Sequence, residues 1–141
     1  MVHIGLSSAI SSSYQNAVLA ATDFKNIYCV DSKNLCAGMG LLVLKACDLR
    51  DKGFDAKKIA ARINSLVPKI HSSFVLDNLE FLHKGGRCSS VAKFGANVLG
   101  LKPVIGVDPA TGKMDVIKKY RGKSEAVCRQ YINDLSLIHI S

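Results

Sequence analysis

The sequence predicts an α/β protein in two parts, a parallel α/β-sheet half over residues 1–67 followed by an α+β half over residues 68–141. Two observations carry this expectation. In the first part, short strand-like runs alternate with segments whose apolar residues recur at helical spacing, the order that gives parallel strands joined by crossover helices. In the second part, a turn-forming run separates two strand-like segments as in a hairpin, with helical patterns on both sides. The size suits one ordinary domain, or two fragments of a larger two-domain protein meeting near 67–69.

The elements follow in order. His3-Ile4-Gly5-Leu6 reads as a short strand, and a serine-rich turn occupies 7–13. Tyr14, Ala17, Val18 and Ala21 then recur at helical spacing. Ile27-Tyr28-Cys29-Val30 is a second strand, ending at Asp31-Ser32. A helix runs through Leu41, Leu42, Leu44, Lys45 and Leu49, and Gly53 stands just past its end, where glycine closes a helix. Asp55 caps a further helix with Ile59, Ile63, Leu66 and Val67 on one face, until Pro68 ends it. In open parallel sheets ligands sit outside the carboxyl ends of strands. Both polar loops, 7–13 and 31–33, follow strands and fall on that edge.

The pattern changes after Pro68. Residues 70–76 form another strand. Asp77-Asn78-Leu79-Glu80 has the spacing of a capping box and opens a short helix carrying Leu79 and Leu82. Gly85-Gly86-Arg87 ends it, and Val91, Phe94, Val98 and Leu99 mark the next helix. Strand-like runs at 103–107 and 114–120 flank the turn Asp108-Pro109-Ala110-Thr111-Gly112. A last helix starts at Ser124 and carries Val127, Tyr131 and Leu135. The final Leu135-Ser136-Leu137-Ile138-His139-Ile140-Ser141 leaves the helical pattern as a β-prone run, as a truncation or assembly scar would.

Composition narrows the function classes. Apolar residues make up 48% of the chain and mean hydropathy is slightly positive, which supplies a core and excludes low-hydrophobicity disorder. No apolar run approaches the ~20 residues that span a bilayer, so stable membrane insertion is not expected. The first thirteen or so residues lack the basic region of a secretory signal. A formal charge of +8 invites an anionic partner, but lysines spread from Lys25 to Lys123 and only 6% of residues are aromatic. That is the pattern of solvated helix faces, and no nucleic-acid partner is expected. The cysteines Cys29, Cys36, Cys47, Cys88 and Cys128 are odd in number and widely spaced, with no C-x-x-C. Neither a disulfide scaffold nor a metal site is expected; they read as reduced, mostly buried residues of a cytoplasmic protein.

Two segments carry the chemistry. Ser8, Ser11, Ser12 and Ser13 lie between a strand and a helix start. The first N–H groups of a helix lack internal acceptors and attract carboxylate or phosphate, and serine hydroxyls add neutral donors. The structural alternative is one N-cap serine with the rest as loop filler. In Lys84-Gly85-Gly86-Arg87, paired glycines let backbone approach a ligand, and Arg87 offers bidentate hydrogen bonds to an oxyanion; the alternative is a helix C-cap beside an exposed arginine. No phosphate-binding G-x-x-x-x-G-K-[ST] occurs. Of the histidines, only His83 stands near a candidate site, where capping a helix end is its ordinary role. A nucleophile pair of Cys88 and His83 on so tight a turn is not expected, and no catalytic residue is assigned.

Taken together, these motifs resemble the DegV family. The stretches that match are Leu6-Ser7-Ser8-Ala9-Ile10-Ser11-Ser12-Ser13-Tyr14-Gln15-Asn16-Ala17, then Val30-Asp31-Ser32-Lys33, then Leu79-Glu80-Phe81-Leu82-His83-Lys84-Gly85-Gly86-Arg87. Leu101-Lys102-Pro103-Val104-Ile105 and Tyr120-Arg121-Gly122-Lys123 follow in the same order. The resemblance implies an internal fragment of the two-domain DegV-like (EDD) fold: 1–67 as the C-terminal part of the first domain, 68–141 as the N-terminal part of the second. It also implies a bacterial, non-catalytic lipid-binding subunit that holds a long-chain fatty acid between two domains. No cofactor is implied; the carboxylate is offered to a separate ATP-using kinase subunit, which phosphorylates it. Ser11 would bond the carboxylate, with Ser8, Ser12, Ser13 and Gly86 around it and Arg87 near the acyl-phosphate. The family has Ser-Gly-Thr where this chain has Ser11-Ser12-Ser13, so Ser12 is expected to narrow the pocket or strain the turn. From another class, the same Ser-rich loop and Arg87 would serve a small phosphate- or anion-binding domain or enzyme.

Overall fold

The computed structural model describes residues 1–87 and 101–138. Cys88, the expected helix through Val91, Phe94, Val98 and Leu99, and His139, Ile140 and Ser141 lie outside the described residues. Two compact units are present: Met1–Ser72 with Val107–Lys113, and Ser73–Gly106 with Met114–Ser141.

The first unit is built on two parallel strands, β1 (Val2–Gly5) and β2 (Tyr28–Asp31), paired Val2 with Tyr28 through Gly5 with Asp31. Helix α1 (Ser13–Ala21) connects them, and α2 (Cys36–Asp51) and α3 (Ala56–Leu66) follow. This is the strand–helix–strand order that the alternating pattern predicts. Asp55 caps α3 by accepting a 2.9 Å hydrogen bond from the Lys58 N–H. From there Ile59, Ile63 and Val67 recur every fourth residue and turn one apolar face toward the strands. A 3₁₀ turn over Val67–Lys69 carries Pro68, whose ring cannot continue an α-helix. Helix α2 closes as expected: Gly53 takes φ +79°, its N–H bonds Arg50 O at 2.8 Å, and the Phe54 N–H bonds Leu49 O at 3.1 Å.

The core of this unit is Val30, Leu42, Leu49, Ile59, Ala60, Ile63 and Val67. Burying a side chain such as Ile63 contributes about 1.5–3 kcal/mol. Helix α2 gives fewer residues to it than its leucine run suggests. Leu42 and Leu49 are buried, whereas Leu41 and Leu44 are 57% and 64% exposed.

The second unit holds a three-stranded sheet in the order β3-β4-β5, formed by β3 (Ser72–Val75), β4 (Leu101–Val107) and β5 (Met114–Arg121). As the middle strand, β4 is buried from Pro103 to Val107. Val104, Tyr120 and Val127 form the core, with Val75 and Tyr131 packed against it. Two helices complete it, α4 (Glu80–Lys84) and α5 (Ser124–Ile138).

Three local expectations are corrected. The capping box at 77–80 does not form: Leu79 holds the N-cap position, and the Asp77 carboxylate accepts instead from Lys102 Nζ at 2.7 Å and Ser124 Oγ at 2.6 Å. The run Leu135-Ser136-Leu137-Ile138 remains helical as the end of α5. Cys36 and Cys128 are exposed, and Cys29 and Cys47 only half-buried, so the described cysteines are not core residues. No described helix is long and apolar enough to cross a membrane.

Candidate functional site

The parallel register of β1 and β2 brings their two following loops side by side, and the polar contacts of the first unit concentrate there. The Ser32 N–H bonds Gly5 O at 3.1 Å and the Ser7 N–H bonds Asn34 O at 3.0 Å, which carries the pairing past the strand ends. Ser7, Ser32 and Asn34 are fully buried, and each is satisfied. Ser32 Oγ both donates to Asn34 O and accepts from Asn34 N–H. The Asn34 amide donates to Ile70 O and accepts from Leu35 N–H. Unsatisfied, such groups would cost about 1–3 kcal/mol each.

Ser7 is the pivot of the serine loop. Its carbonyl accepts from Ile10 and Ser11 N–H at 3.0 and 3.1 Å, and its hydroxyl donates to Gly112 O at 2.8 Å. The turn 108–113 therefore closes on this loop within the first unit, helped by Lys33 Nζ donating to Ala110 O at 2.5 Å.

The candidate serines stand as follows. Ser8 is half-buried and bound to Asp31: its N–H reaches Oδ1 at 3.2 Å and its hydroxyl donates to Oδ2 at 2.5 Å. Asp31 Oδ1 also accepts from Lys33 N–H at 2.9 Å. Ser11 Oγ accepts from Ser13 N–H at 3.2 Å, which leaves the Ser11 proton for another acceptor. Ser12 occupies the N-cap position of α1 without a side-chain capping bond, and Ser13 is the first helical residue; both are exposed. The expected strain at Ser12 is absent, since its φ of −76° lies in the ordinary right-handed region and asks nothing of glycine. Tyr14 follows on α1, its phenol held above the usual range by burial, then by the charge of Asp31. A hydroxyl fixed through its oxygen, beside the opening turn of a helix, is a set of neutral donors suited to a monoanion.

Gly86 and Arg87 belong to the second unit, at the end of α4. Gly86 takes φ +66°, and Arg87 Nη1 folds back to donate to Gly85 O at 2.5 Å, leaving an exposed guanidinium. His83 is exposed in the last turn of α4. The same unit has a cavity of about 260 Å³ lined by Val104, Tyr120, Tyr131, Ser73, Lys118 and Asp134, among others. Ser73 and Tyr131 share a 2.8 Å hydrogen bond, while Asp134 accepts from Lys118 and from the Tyr120 hydroxyl. Lys118, then Tyr120, hold the Asp134 carboxyl below its usual range, and burial pushes the Tyr120 phenol up. Among the described residues no group of three His, Cys, Asp or Glu side chains is placed to hold a metal ion.

Sequence reasoning missed Ser7, Asp31, Asn34 and Gly112 as the frame of the loop. Asp31 lay inside a motif already noticed, but its reach to Ser8 depends on the strand pairing.

Comparison with known proteins agrees with this architecture. A family model described as an uncharacterised protein of the DegV family matches residues 1–133. A DegV domain-containing protein of Clostridium acetobutylicum is 35% identical over 128 residues, covering 89% of this chain and 45% of its own length. A DegV family protein from Thermus thermophilus, solved as a fatty-acid-binding protein, has 30% identity and a TM-score of 0.75 over 89% of this chain and 44% of its own. The fatty acid kinase B3 protein of Streptococcus pneumoniae, solved with linoleic acid, shares the fold at a TM-score of 0.78 and 24% identity, over 96% of this chain and 50% of its own. The chain thus spans about half the length of the relatives it matches.

Proposed function

The chain belongs to the DegV family, and on that premise we propose that the intact protein is a lipid carrier: it holds a long-chain fatty acid and offers the carboxylate to a separate ATP-using kinase subunit. The observation that carries this reading is the serine loop, in which Ser11 keeps a free hydroxyl proton at the start of α1. The 30% identical Thermus thermophilus relative, a fatty-acid-binding protein, points to the same ligand class.

In this reading Ser11 donates to the carboxylate, with Ser12 and Ser13 bordering it at the head of α1. Arg87 contributes its guanidinium to the acyl-phosphate once phosphate has been transferred, as the family resemblance implies. Neutral hydroxyl and N–H donors suit the carboxylate, because an ion taken out of water without hydrogen bonds would be prohibitively costly. The acyl chain supplies most of the affinity, about 0.8 kcal/mol per buried CH₂, and the head group sets orientation. The chain's own chemistry is binding and presentation, and the phosphoryl transfer belongs to the kinase subunit. We read residues 1–67 as the C-terminal part of the first DegV domain and 68–141 as the N-terminal part of the second, in a bacterial cytoplasmic protein.

The test is phosphate transfer in a reconstituted system. With labelled ATP, a fatty acid kinase subunit and palmitate, acyl-phosphate should form only when the intact protein is present. Equal product without it would end the presentation role.

A further inference from the structure

Resting on the carboxylate-binding reading above, we propose that Asp31 is the positioning residue of the serine loop. It binds Ser8 and uses up the Ser8 proton, and so leaves Ser11 as the hydroxyl that donates to a bound carboxylate.

The argument is one of proton count. Asp31 takes three hydrogen bonds on two oxygens, from Ser8 N–H, Ser8 O–H and Lys33 N–H, at 3.2, 2.5 and 2.9 Å. Two of them cross 23 positions of sequence and join the loop after β1 to the loop after β2. A serine hydroxyl has a single proton. Once that proton is given to a carboxylate, in a charge-assisted bond of the stronger kind, Ser8 presents only lone pairs, which repel an incoming carboxylate. Ser8 therefore acts as the pin that fixes the loop and is not a ligand donor.

Ser11 has the opposite arrangement. Its oxygen is occupied by the Ser13 N–H at 3.2 Å, and its proton is unspent. Its backbone N–H is held by the carbonyl of Ser7, four residues before it and adjacent to the pinned Ser8. Replacing Asp31 with alanine frees Ser8 and Lys33 N–H together. Asparagine keeps one acceptor oxygen for the two N–H groups, while its amide nitrogen obliges the Ser8 hydroxyl to turn over and accept.

The experiment compares palmitate with hexadecanol, which has the same chain and no carboxylate, in equilibrium binding to the intact protein. Asp31→Ala should weaken palmitate about tenfold, the loss of one well-made head-group hydrogen bond, and leave hexadecanol unchanged. Asp31→Asn should recover part of the loss. Ser8→Ala alone, which removes the pin and keeps the Asp31 bond to Lys33 N–H, should cost palmitate no more than Asp31→Ala does. If Asp31→Ala does not fold, the palmitate-to-hexadecanol ratio of Asp31→Asn, lying between wild type and a Ser11→Ala variant, carries the same test. A ratio in either Asp31 variant equal to wild type overturns the positioning role, as does a larger loss of palmitate in Ser8→Ala than in Asp31→Ala. If the wild type itself does not prefer palmitate to hexadecanol, the carboxylate-binding reading fails, and the role built on it fails with it.

Discussion

The buried Ser7 hydroxyl donates a 2.8 Å hydrogen bond to the carbonyl of Gly112, 105 positions further along the chain. Gly112 sits at φ +72°, and a Cβ built on it would stand 2.2 Å from Ser7 Oγ and 3.1 Å from Lys33 Cα. The turn 108–113 can reach the serine loop only because this residue has no side chain.

Gly112→Ala should therefore destabilise the protein by more than the ~1–3 kcal/mol of an unfavourable backbone conformation, since the methyl group also meets Ser7. Ser7→Ala should cost about 1–3 kcal/mol, the penalty for a buried carbonyl left without its donor. Chemical denaturation of both variants checks this, and an unchanged midpoint for Gly112→Ala would contradict it.

Acid should weaken the fold through specific carboxylates. Lys58 N–H holds Asp55, Lys102 holds Asp77, the Thr111 hydroxyl holds Asp108 and Lys118 holds Asp134, each below the ordinary 3.8. A carboxylate with a lowered folded pKa contributes stability that is present above its unfolded pKa and lost as pH falls through the folded one. Thermal melting should thus be flat toward neutral pH and decline below the ordinary carboxylate range. Asp77→Asn and Asp134→Asn should melt lower at neutral pH and decline less on acidification.

Ser12→Gly, which introduces the glycine that the family resemblance implies at this position, should matter little. Ser12 makes no capping bond and has an ordinary backbone conformation, so glycine there should shift stability by a few tenths of a kcal/mol. Palmitate affinity should stay within about twofold, since less than half a kcal/mol is at stake. A gain well beyond that would mean that the Ser12 side chain obstructs the head group.

Ser11→Ala should cost about tenfold in palmitate affinity, the worth of one hydrogen bond to a charged group. Among the described residues its hydroxyl hydrogen-bonds only the Ser13 N–H, so the melting temperature should barely move. Calorimetric titration and melting on the same sample separate the two effects.

Much of the fold is legible locally, because the signals concerned are satisfied by neighbours in sequence. Asp55 caps α3 through a residue three positions away, and Gly53 ends α2 with bonds to Arg50 and Leu49. The period of Ile59, Ile63 and Val67 states directly which face is buried. Signals decided by distant partners were lost. The Asp77 box had the right spacing, but Lys102 and Ser124 offer its carboxylate a cation and a hydroxyl from elsewhere in the fold. Leu41 and Leu44 look like core until the helix is docked through Leu42 and Leu49. At the candidate site, the serines and Asp31 stand in recognisable motifs. The proton direction at Ser8 and the closure by Gly112 exist only once two loops and a remote turn have come together.

The carrier reading is tested most directly by what the purified intact protein already holds. Organic extraction followed by mass spectrometry should release a long-chain fatty acid in an amount comparable to the protein. Release of polar anions alone, with no fatty acid bound or taken up on incubation, would contradict it and favour a small anion-binding domain built on the same serine loop.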